Sequence, residues 1–448
     1  MGRLFGTDGA RGIANKELTI ELAMKIGKAA AEVLAVESKR PKILIAKDTR
    51  ISCDMLESAL SAGLCSVGAD VVSVGVVPTP CAAYLIGELG CSAGIMISAS
   101  HNPFEYNGIK LFDKNGFKLP DALEEEIEAI VLDDKGKHEK ATDENIGRVY
   151  YRDDAIDIYV EHLISTVDVD FSGLKIAFDC ANGASYQTAQ KVFKKLGAEC
   201  SFLSTEPTGV NINLNCGSTH LENLQSYVVE NKCDCGIAFD GDADRCLAVD
   251  SEGNVVDGDM IIAISANDLK QRNELDKNTV VMTVMSNIGF FKFAEREGID
   301  VKTTKVGDRY VLEEMRANGY IIGGEQSGHI IYLKHASTGD GQLSAIQLIA
   351  TMKRTGKSLK ELASIMEQFP QVLVNVTVTK EIKEFYAESK VVRDAIVKAE
   401  QQLGDDGRVL VRASGTEPLV RVMIEGKNID EITAMAEEIA DKIKNLKI

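Results

Sequence analysis

Short apolar runs that give way to polar residues, then to an amphipathic stretch and a further apolar run, recur three times along the chain. In the first set, Lys42–Ala46 ends in Lys47-Asp48-Thr49-Arg50, Val71–Val77 ends in Pro78-Thr79-Pro80, and Ile95–Ile97 runs into Ser98-Ala99-Ser100-His101-Asn102-Pro103. In the second, Leu174–Phe178 ends in Asp179-Cys180-Ala181-Asn182-Gly183, and Gly236–Phe239 ends in Asp240-Gly241-Asp242-Ala243-Asp244-Arg245. In the third, Val280–Val284 ends in Ser286-Asn287, Val301–Thr304 in Lys305–Arg309, and Tyr320–Ile322 in Gly323-Gly324-Glu325-Gln326-Ser327-Gly328-His329. Apolar strands alternating with helices predict parallel or mixed α/β sheets, whose sites gather at the carboxyl ends of strands. After Pro370 the pattern changes. Val372–Val378 alternates in part, a helix is expected through about Glu400, and Val409–Arg412 and Val420–Ile424 read as strands around Ala413–Pro418. The last helix carries Ile432, Met435, Ala436, Ile439 and Ile443 on one face, with Asn428 and Glu431 at its start in an N-cap pairing.

This pattern predicts three similar α/β domains with mixed sheets and a smaller C-terminal α+β domain, with the site in the central cleft. The expected boundaries are 1–153, 154–254, 255–369 and 370–448. A length of 448 residues and a 45% hydrophobic share fit about three or four domains with ordinary cores. No apolar run approaches the ~20 residues that span a bilayer, and the opening Met1–Gly6 lacks a secretory apolar region. Gly2 is not in a myristoylation context. A cytoplasmic protein without membrane partners is expected. Most of the ten cysteines lie in or beside apolar runs, including Cys65, Cys81, Cys91, Cys180, Cys233 and Cys246, as buried thiols do in a reducing compartment. Cys233-Asp234-Cys235 has no second pair at zinc-site spacing. The net charge of -18 disfavours a nucleic-acid surface, so any phosphate site needs a local basic cluster.

Asp240, Asp242 and Asp244 fall at alternate positions, where one loop can turn three carboxylates onto a hard cation such as magnesium. A calcium EF-hand fails, because Arg245 stands where that loop needs glycine and Ser251 where it needs glutamate. The ordinary alternative is a solvated acidic turn; the buried strand before it and Arg245 after it favour function. Ser100 has a rival reading as a turn or cap residue, and no Gly-x-Ser-x-Gly elbow surrounds it. Its segment continues through Asn107-Gly108-Ile109-Lys110, adding turn residues and a cation that a phosphorylated serine needs. Arg412-Ala413-Ser414-Gly415-Thr416 with Arg421 offers guanidinium groups, hydroxyls and a glycine for phosphate, against a plain β-turn with surface arginines. Glu325–His329 supplies hydrogen-bonding groups suited to a sugar ring; a lone histidine there is more often structural.

Taken in order, Phe5–Gly12, the Ser100 loop, the Asp240 loop, Gly324–His329 and Arg412–Pro418 resemble the α-D-phosphohexomutases over essentially the whole length. The resemblance implies that Ser100 is a phosphoserine and that it joins Asp240, Asp242 and Asp244 around one magnesium ion per subunit. It places Arg11, Lys110 and Arg245 near the transferring phosphoryl group and His329 among the catalytic positions. Glu325 and Ser327 match the sugar-binding loop, and Arg412, Ser414, Gly415, Thr416 and Arg421 match a clamp on the distant phosphate. Gln326, the opening Leu4–Gly9 and Thr338-Gly339-Asp340-Gly341 fit the glucosamine branch. The implied reaction is interconversion of glucosamine 6-phosphate and glucosamine 1-phosphate through a 1,6-bisphosphate. A phosphorylated hexosamine and a bisphosphate activator are the implied partners, and a homodimer is left open. The rivals are a phosphoglucomutase or phosphomannomutase on the same scaffold and a non-catalytic sugar-phosphate sensor. Ala10, where valine is frequent, and Cys53, where glycine often stands, depart from the pattern; neither is expected to touch a catalytic role.

Overall fold

Apolar runs buried on both faces become the inner strands of sheets, because helices cover them on either side. A computed structural model of the chain describes residues 2–6, 8–34, 40–136, 139–414 and 418–446. The first sheet contains β1 (Ala10–Ile13), β2 (Lys42–Lys47), β3 (Asp70–Val76), β4 (Ala93–Ile97), β5 (Tyr106–Phe112) and β6 (Val149–Tyr151), in the order β1-β5-β4-β2-β3-β6. The second contains β7 (Lys175–Asp179), β8 (Glu199–Leu203), β9 (Cys235–Phe239), β10 (Cys246–Asp250) and β11 (Val255–Val256), in the order β11-β10-β9-β7-β8. The third contains β12 (Thr279–Thr283), β13 (Asp300–Thr304), β14 (Ile322–Gly324) and β15 (Ile330–Tyr332), in the order β13-β12-β14-β15.

All three sheets share one plan. A parallel core ends in a strand (β4, β9 or β14) whose successor turns straight back antiparallel (β5, β10 or β15). Each of these reversals carries one of the polar loops singled out above: Ser100 after β4, the aspartates after β9, and Glu325–His329 after β14. Asn107–Lys110 are therefore not an extension of the serine loop but part of β5. Asn107–Ile109 pair with β1 on one side, Arg11 opposite Gly108, and Lys110 pairs with β4 opposite Met96 on the other. β1 pairs with Asn107 and Gly108 and the Ser98 amide donates to the Gly108 carbonyl at 3.0 Å, which outweighs the turn tendency of those two residues.

The chain divides into two compact units. One comprises Met1–Met285 and Ile299–Ile365 and holds the three mixed sheets. The other comprises Ser286–Gly298 and Met366–Ile448, built on the antiparallel sheet β16 (Gln371–Thr377), β17 (Gly407–Ala413) and β18 (Leu419–Gly426), ordered β16-β18-β17. In that unit Glu425 is fully buried and accepts from the backbone of Ile288 at 3.1 Å and from Arg408 Nε at 2.5 Å. Arg408 also donates to the Ser286 carbonyl, so helix Ile288–Glu297 is tied to the small sheet. Helix Ile429–Lys444 buries Ile432, Ala436, Ile439 and Ile443 against Val376, Val420, Val422 and Ile424, with Met435 at the margin. Asn428 caps it, accepting from Asp430 and Glu431. The single helix expected through about Glu400 is instead two, Lys380–Phe385 and Lys390–Leu403, parted where Ser389 adopts an extended backbone.

The three mixed sheets and the smaller antiparallel region agree with the expected fold class. All ten cysteines are free thiols. Among the described residues no helix is long and apolar enough to cross a membrane.

Candidate active site

Ser100 sits just past β4, almost fully buried, with its backbone in the left-handed region at φ 52°. Such a conformation is costly for a residue with a Cβ and persists only where its surroundings fix it. Arg50 supplies that fixation. Its guanidinium donates to the carbonyls of Ser100 (2.9 Å), Asn102 (2.9 Å), Tyr106 (3.0 Å) and Pro103, while Nε binds Asp48 Oδ2 at 2.9 Å. Asp48 also accepts from Ser98 Oγ at 2.7 Å, and Ser98 Oγ accepts from the Ser100 amide at 2.9 Å. Cys53, the departure from the family pattern, points its thiol at Asp48 Oδ1 (3.2 Å) and so belongs to the same scaffold. Asn213 adds bonds to the Ser100 and Asn102 carbonyls at 2.9 and 3.0 Å.

The aspartate loop meets the serine directly. Ser100 Oγ donates to Asp240 Oδ2 at 2.6 Å. Carboxylate oxygens of Asp240, Asp242 and Asp244 lie within 4.8 Å of one another, all buried. The loops approach backbone to backbone: a Cβ on Gly241 would fall 2.5 Å from the Ser100 carbonyl oxygen, and one on Gly183 would fall 2.3 Å from that of Gly241. Asp242 Oδ2 accepts from Thr79 Oγ1 (2.5 Å) and Lys110 Nζ (2.7 Å). Burial opposes the charge on Lys110, but Asp242, Asp8 and Asp244 outweigh it and raise its pKa. Asp244 shows the reverse balance, burial being overcome by Lys110, His329 and Arg245, so it is held far below the ordinary carboxylate range. Burial together with Asp244 and Asp242 pushes Asp240 well above that range. Asp242 Oδ1 and Asp244 Oδ1 are buried without a hydrogen-bond partner among the described residues. An all-oxygen set with unsatisfied acceptors and one carboxyl driven toward its neutral form fits a hard divalent cation.

A chain of charges extends from this centre. Asp8 is shared by Lys110 (3.0 Å), Lys118 (2.6 Å) and Arg11. Burial would raise Asp8, but Lys110, Lys118 and Arg11 together hold it well below its usual value. Lys118 also binds Asp308, and Asp308 lies 3.5 Å from His329 Nε2. His329 Nδ1 is 3.6 Å from Asp244. Burial disfavours its protonated form, yet Asp244 and Asp308 raise its pKa. His101, 3.4 Å from Ser100 Oγ, goes the other way: burial, Arg245 and Arg11 lower it to about 4. The Arg245 amide donates to Asp240 Oδ1 at 3.1 Å, and its backbone bridges that of His329, joining the second and third loops. In the third loop Glu325 is half-buried and accepts from the Gly307 amide at 2.9 Å, while Ser327 is exposed. Gln326 donates to Asp257 at 3.1 Å.

In the small unit, Arg412 on β17 and Arg421 on β18 are cross-strand partners, with Asn375 of β16 opposite Arg421. Burial and then Arg421 lower the pKa of Arg412. Ser414 is buried and its amide donates to the Leu419 carbonyl at 2.8 Å. Gly415 and Thr416 lie outside the described residues.

Sequence reading thus located the serine, the aspartates, Lys110, Arg11, Arg245 and His329 in one cluster, but it missed Arg50, Asn213, Lys118 and Asp308. Asp48, Arg50 and Asp308 had a visible signal, polar strand ends after β2 and β13; Asn213 and Lys118 reach the site only through long-range folding.

Models of the four phosphoglucomutase/phosphomannomutase domains match in order: α/β/α domain I at residues 2–137, domain II at 157–253, domain III at 257–369 and the C-terminal domain at 373–442. The chain is 56% identical over 445 residues to a phosphoglucosamine mutase of Acetivibrio thermocellus, covering 99% of both chains. It is 56% identical over 447 residues to the phosphoglucosamine mutase of Caldicellulosiruptor bescii, again covering 99% of each. Among solved structures, a phosphoglucomutase/phosphomannomutase family protein of Burkholderia thailandensis superposes with a TM-score of 0.83 at 24% identity, over 99% of this chain and 98% of that one. An N-acetylphosphoglucosamine mutase of Aspergillus fumigatus, solved with GlcNAc-6P and magnesium, gives 0.71 at 18% identity over 99% and 95%. These two structural likenesses speak to the fold.

Proposed function

The chain belongs to the phosphoglucomutase/phosphomannomutase family, and from that premise we propose that it interconverts glucosamine 6-phosphate and glucosamine 1-phosphate through a phosphorylated Ser100 and a 1,6-bisphosphate intermediate. The observation that carries the proposal is the 2.6 Å bond from Ser100 Oγ to Asp240 inside the three-aspartate cluster.

Asp240, Asp242, Asp244 and the serine phosphate would hold one magnesium ion, which when bound neutralises charge on the transferring group. Arg11, Lys110 and Arg245 surround that position with further positive charge, the form of assistance phosphoryl transfer most needs, and the His329 imidazole stands beside Asp244. In the first half-reaction the bond between Ser100 Oγ and phosphorus breaks, and one forms between the sugar 1-oxygen and phosphorus. The proton of the 1-hydroxyl ends on Ser100 Oγ, where Asp240 Oδ2 accepts its hydrogen bond. After the bisphosphate turns around, the 6-phosphoryl group moves to Ser100 Oγ and the serine proton ends on the sugar 6-oxygen, leaving glucosamine 1-phosphate. Glu325 and Ser327 are assigned to the sugar hydroxyls. Arg412, Ser414, Gly415, Thr416 and Arg421 are assigned to whichever phosphate is not reacting. We place the enzyme in the cytoplasm, with a bisphosphate as its activator.

The test is kcat/KM for glucosamine 6-phosphate, glucose 6-phosphate and mannose 6-phosphate, with magnesium and a trace of bisphosphate. A clear preference for the amino sugar is expected. Preference for a neutral sugar would keep the phosphoserine chemistry and overturn the glucosamine assignment. Absence of turnover with all three, with Ser100 phosphorylated by intact mass, would point to an untested sugar or to the sensor.

A further inference from the structure

The segment Thr338-Gly339-Asp340-Gly341 contributes no side chain to the chemistry described above, yet it touches two parts of the site with successive backbone groups. The Gly339 amide donates to His329 Nε2 at 3.1 Å. A Cβ on Gly339 would fall 2.5 Å from that nitrogen, so the approach requires glycine. Two residues on, the Gly341 amide donates at 3.0 Å to the carbonyl of Ala243, which stands between Asp242 and Asp244 with φ 55°. One short stretch therefore fixes both the imidazole and the bend of the aspartate loop.

Between those two contacts lies Asp340, 1% exposed. Its Oδ1 accepts from the Leu343 amide at 2.9 Å and caps helix Gly341–Thr355. Its Oδ2 accepts from the hydroxyl of Tyr159 at 2.7 Å. Tyr159 is fully buried on helix Ala155–Ser165, far away in sequence and part of the region that carries the second sheet. We propose that Tyr159 and Asp340 are positioning residues for the mutase reaction, a clip that holds Gly339 on His329 and Gly341 on the aspartate loop and so keeps the two in register. With Nε2 accepting from Gly339, the ring proton resides on Nδ1, facing Asp244 at 3.6 Å. Loss of the clip frees the imidazole to take the other tautomer and to rotate away from Asp244. The kinetic consequence rests on the mutase reading; the state of the imidazole does not.

The experiment uses the full chain and combines steady-state kinetics with histidine-selective nitrogen NMR. His329 is assigned among the six histidines by its loss in His329→Gln. Tyr159→Phe keeps the ring and removes the hydroxyl; it is expected to lower kcat about tenfold with KM within about twofold, the size of effect small misplacements produce. In the same variant the His329 Nε2 resonance should move away from its wild-type position. Asp340→Ala should lose more, and Asp340→Asn should recover most of that loss, because an amide oxygen still caps Leu343 and an amide N–H still reaches Tyr159. A His329 Nε2 resonance unchanged in Tyr159→Phe overturns the clip, whatever happens to kcat or to Tm. Should the wild type itself lack turnover, the mutase reading falls and the resonance still decides the clip.

Discussion

Lys110 on β5 lies within 3.6 Å of carboxylates from three aspartates, Asp8, Asp242 and Asp244, whereas Arg412 on β17 has another cation, Arg421, as its cross-strand partner. In the first case the fold encloses a charge and matches it many times over. In the second it sets like charges side by side, an arrangement that weakens a sheet. The contrast follows from what each is proposed to bind. A cation beside the phosphoserine must stay in place through every cycle while phosphoryl groups come and go, so the protein supplies its counter-charges. A clamp that grips a sugar phosphate in either of two orientations must let it go, and a phosphate beside two neighbouring arginines offsets their mutual repulsion only while it is bound.

The largest expected effect separates chemistry from both charge arrangements. Ser100→Ala should abolish mutase turnover, with unfolding curves close to wild type; retained turnover would sink the covalent scheme. Next, Lys110→Met leaves buried Asp242 without its cation and should cost about 3–5 kcal/mol of stability in denaturant unfolding. A cost below about 1 kcal/mol would show that the aspartates do not depend on that lysine. Arg421→Met should behave in the opposite sense. It should raise KM for the sugar phosphate roughly 10–100-fold, as loss of a hydrogen bond to a charged group does. Its stability should be unchanged or higher by about 0.5 kcal/mol because a like-charge pair is relieved. If Arg421→Met is as destabilising as Lys110→Met, the comparison fails. The smallest effect is that of salt. Raising the salt to about 0.5 M should weaken substrate binding measurably while barely moving Tm, since part-exposed charges are screened and buried ones are not.

What the sequence disclosed and what it withheld divide along a physical line. Ser100 and the three aspartates were legible because each motif is contiguous and follows an apolar run that could only be a buried strand. Asn107–Lys110 differ from their sequence reading because turn residues promise a turn only where no neighbouring strand claims the backbone, and β1 claims Asn107 and Gly108 while β4 pairs from Ile109 onward. Arg50 is legible as part of a strand end but not as the residue that grips the serine loop, because its acceptors are main-chain carbonyls and carry no side-chain signature. Asp308 stands in a polar strand end, but Lys118 has no such signal, and the two, 190 residues apart, become partners only when the first and third sheets are in place. Gln326 carries a resemblance to the glucosamine branch in its identity, but nothing in the sequence signals that its amide engages Asp257.

The stacked backbones at Gly183, Gly241 and Ser100 have a consequence for anyone who would redesign this enzyme. Where side chains set a distance, a change of residue can be absorbed by another rotamer or a small repacking. Here the spacing between serine loop and aspartate loop is set by close-packed main-chain atoms, where a Cβ added at Gly183 or Gly241 would fall only 2.3 or 2.5 Å from the neighbouring carbonyl oxygen. Such a gauge has no slack: it holds its dimension whatever side chains surround it, and it has no intermediate settings. Pocket engineering can therefore vary the side chains of the proposed sugar loop and arginine clamp by degrees, while these two glycines offer no gradual path at all.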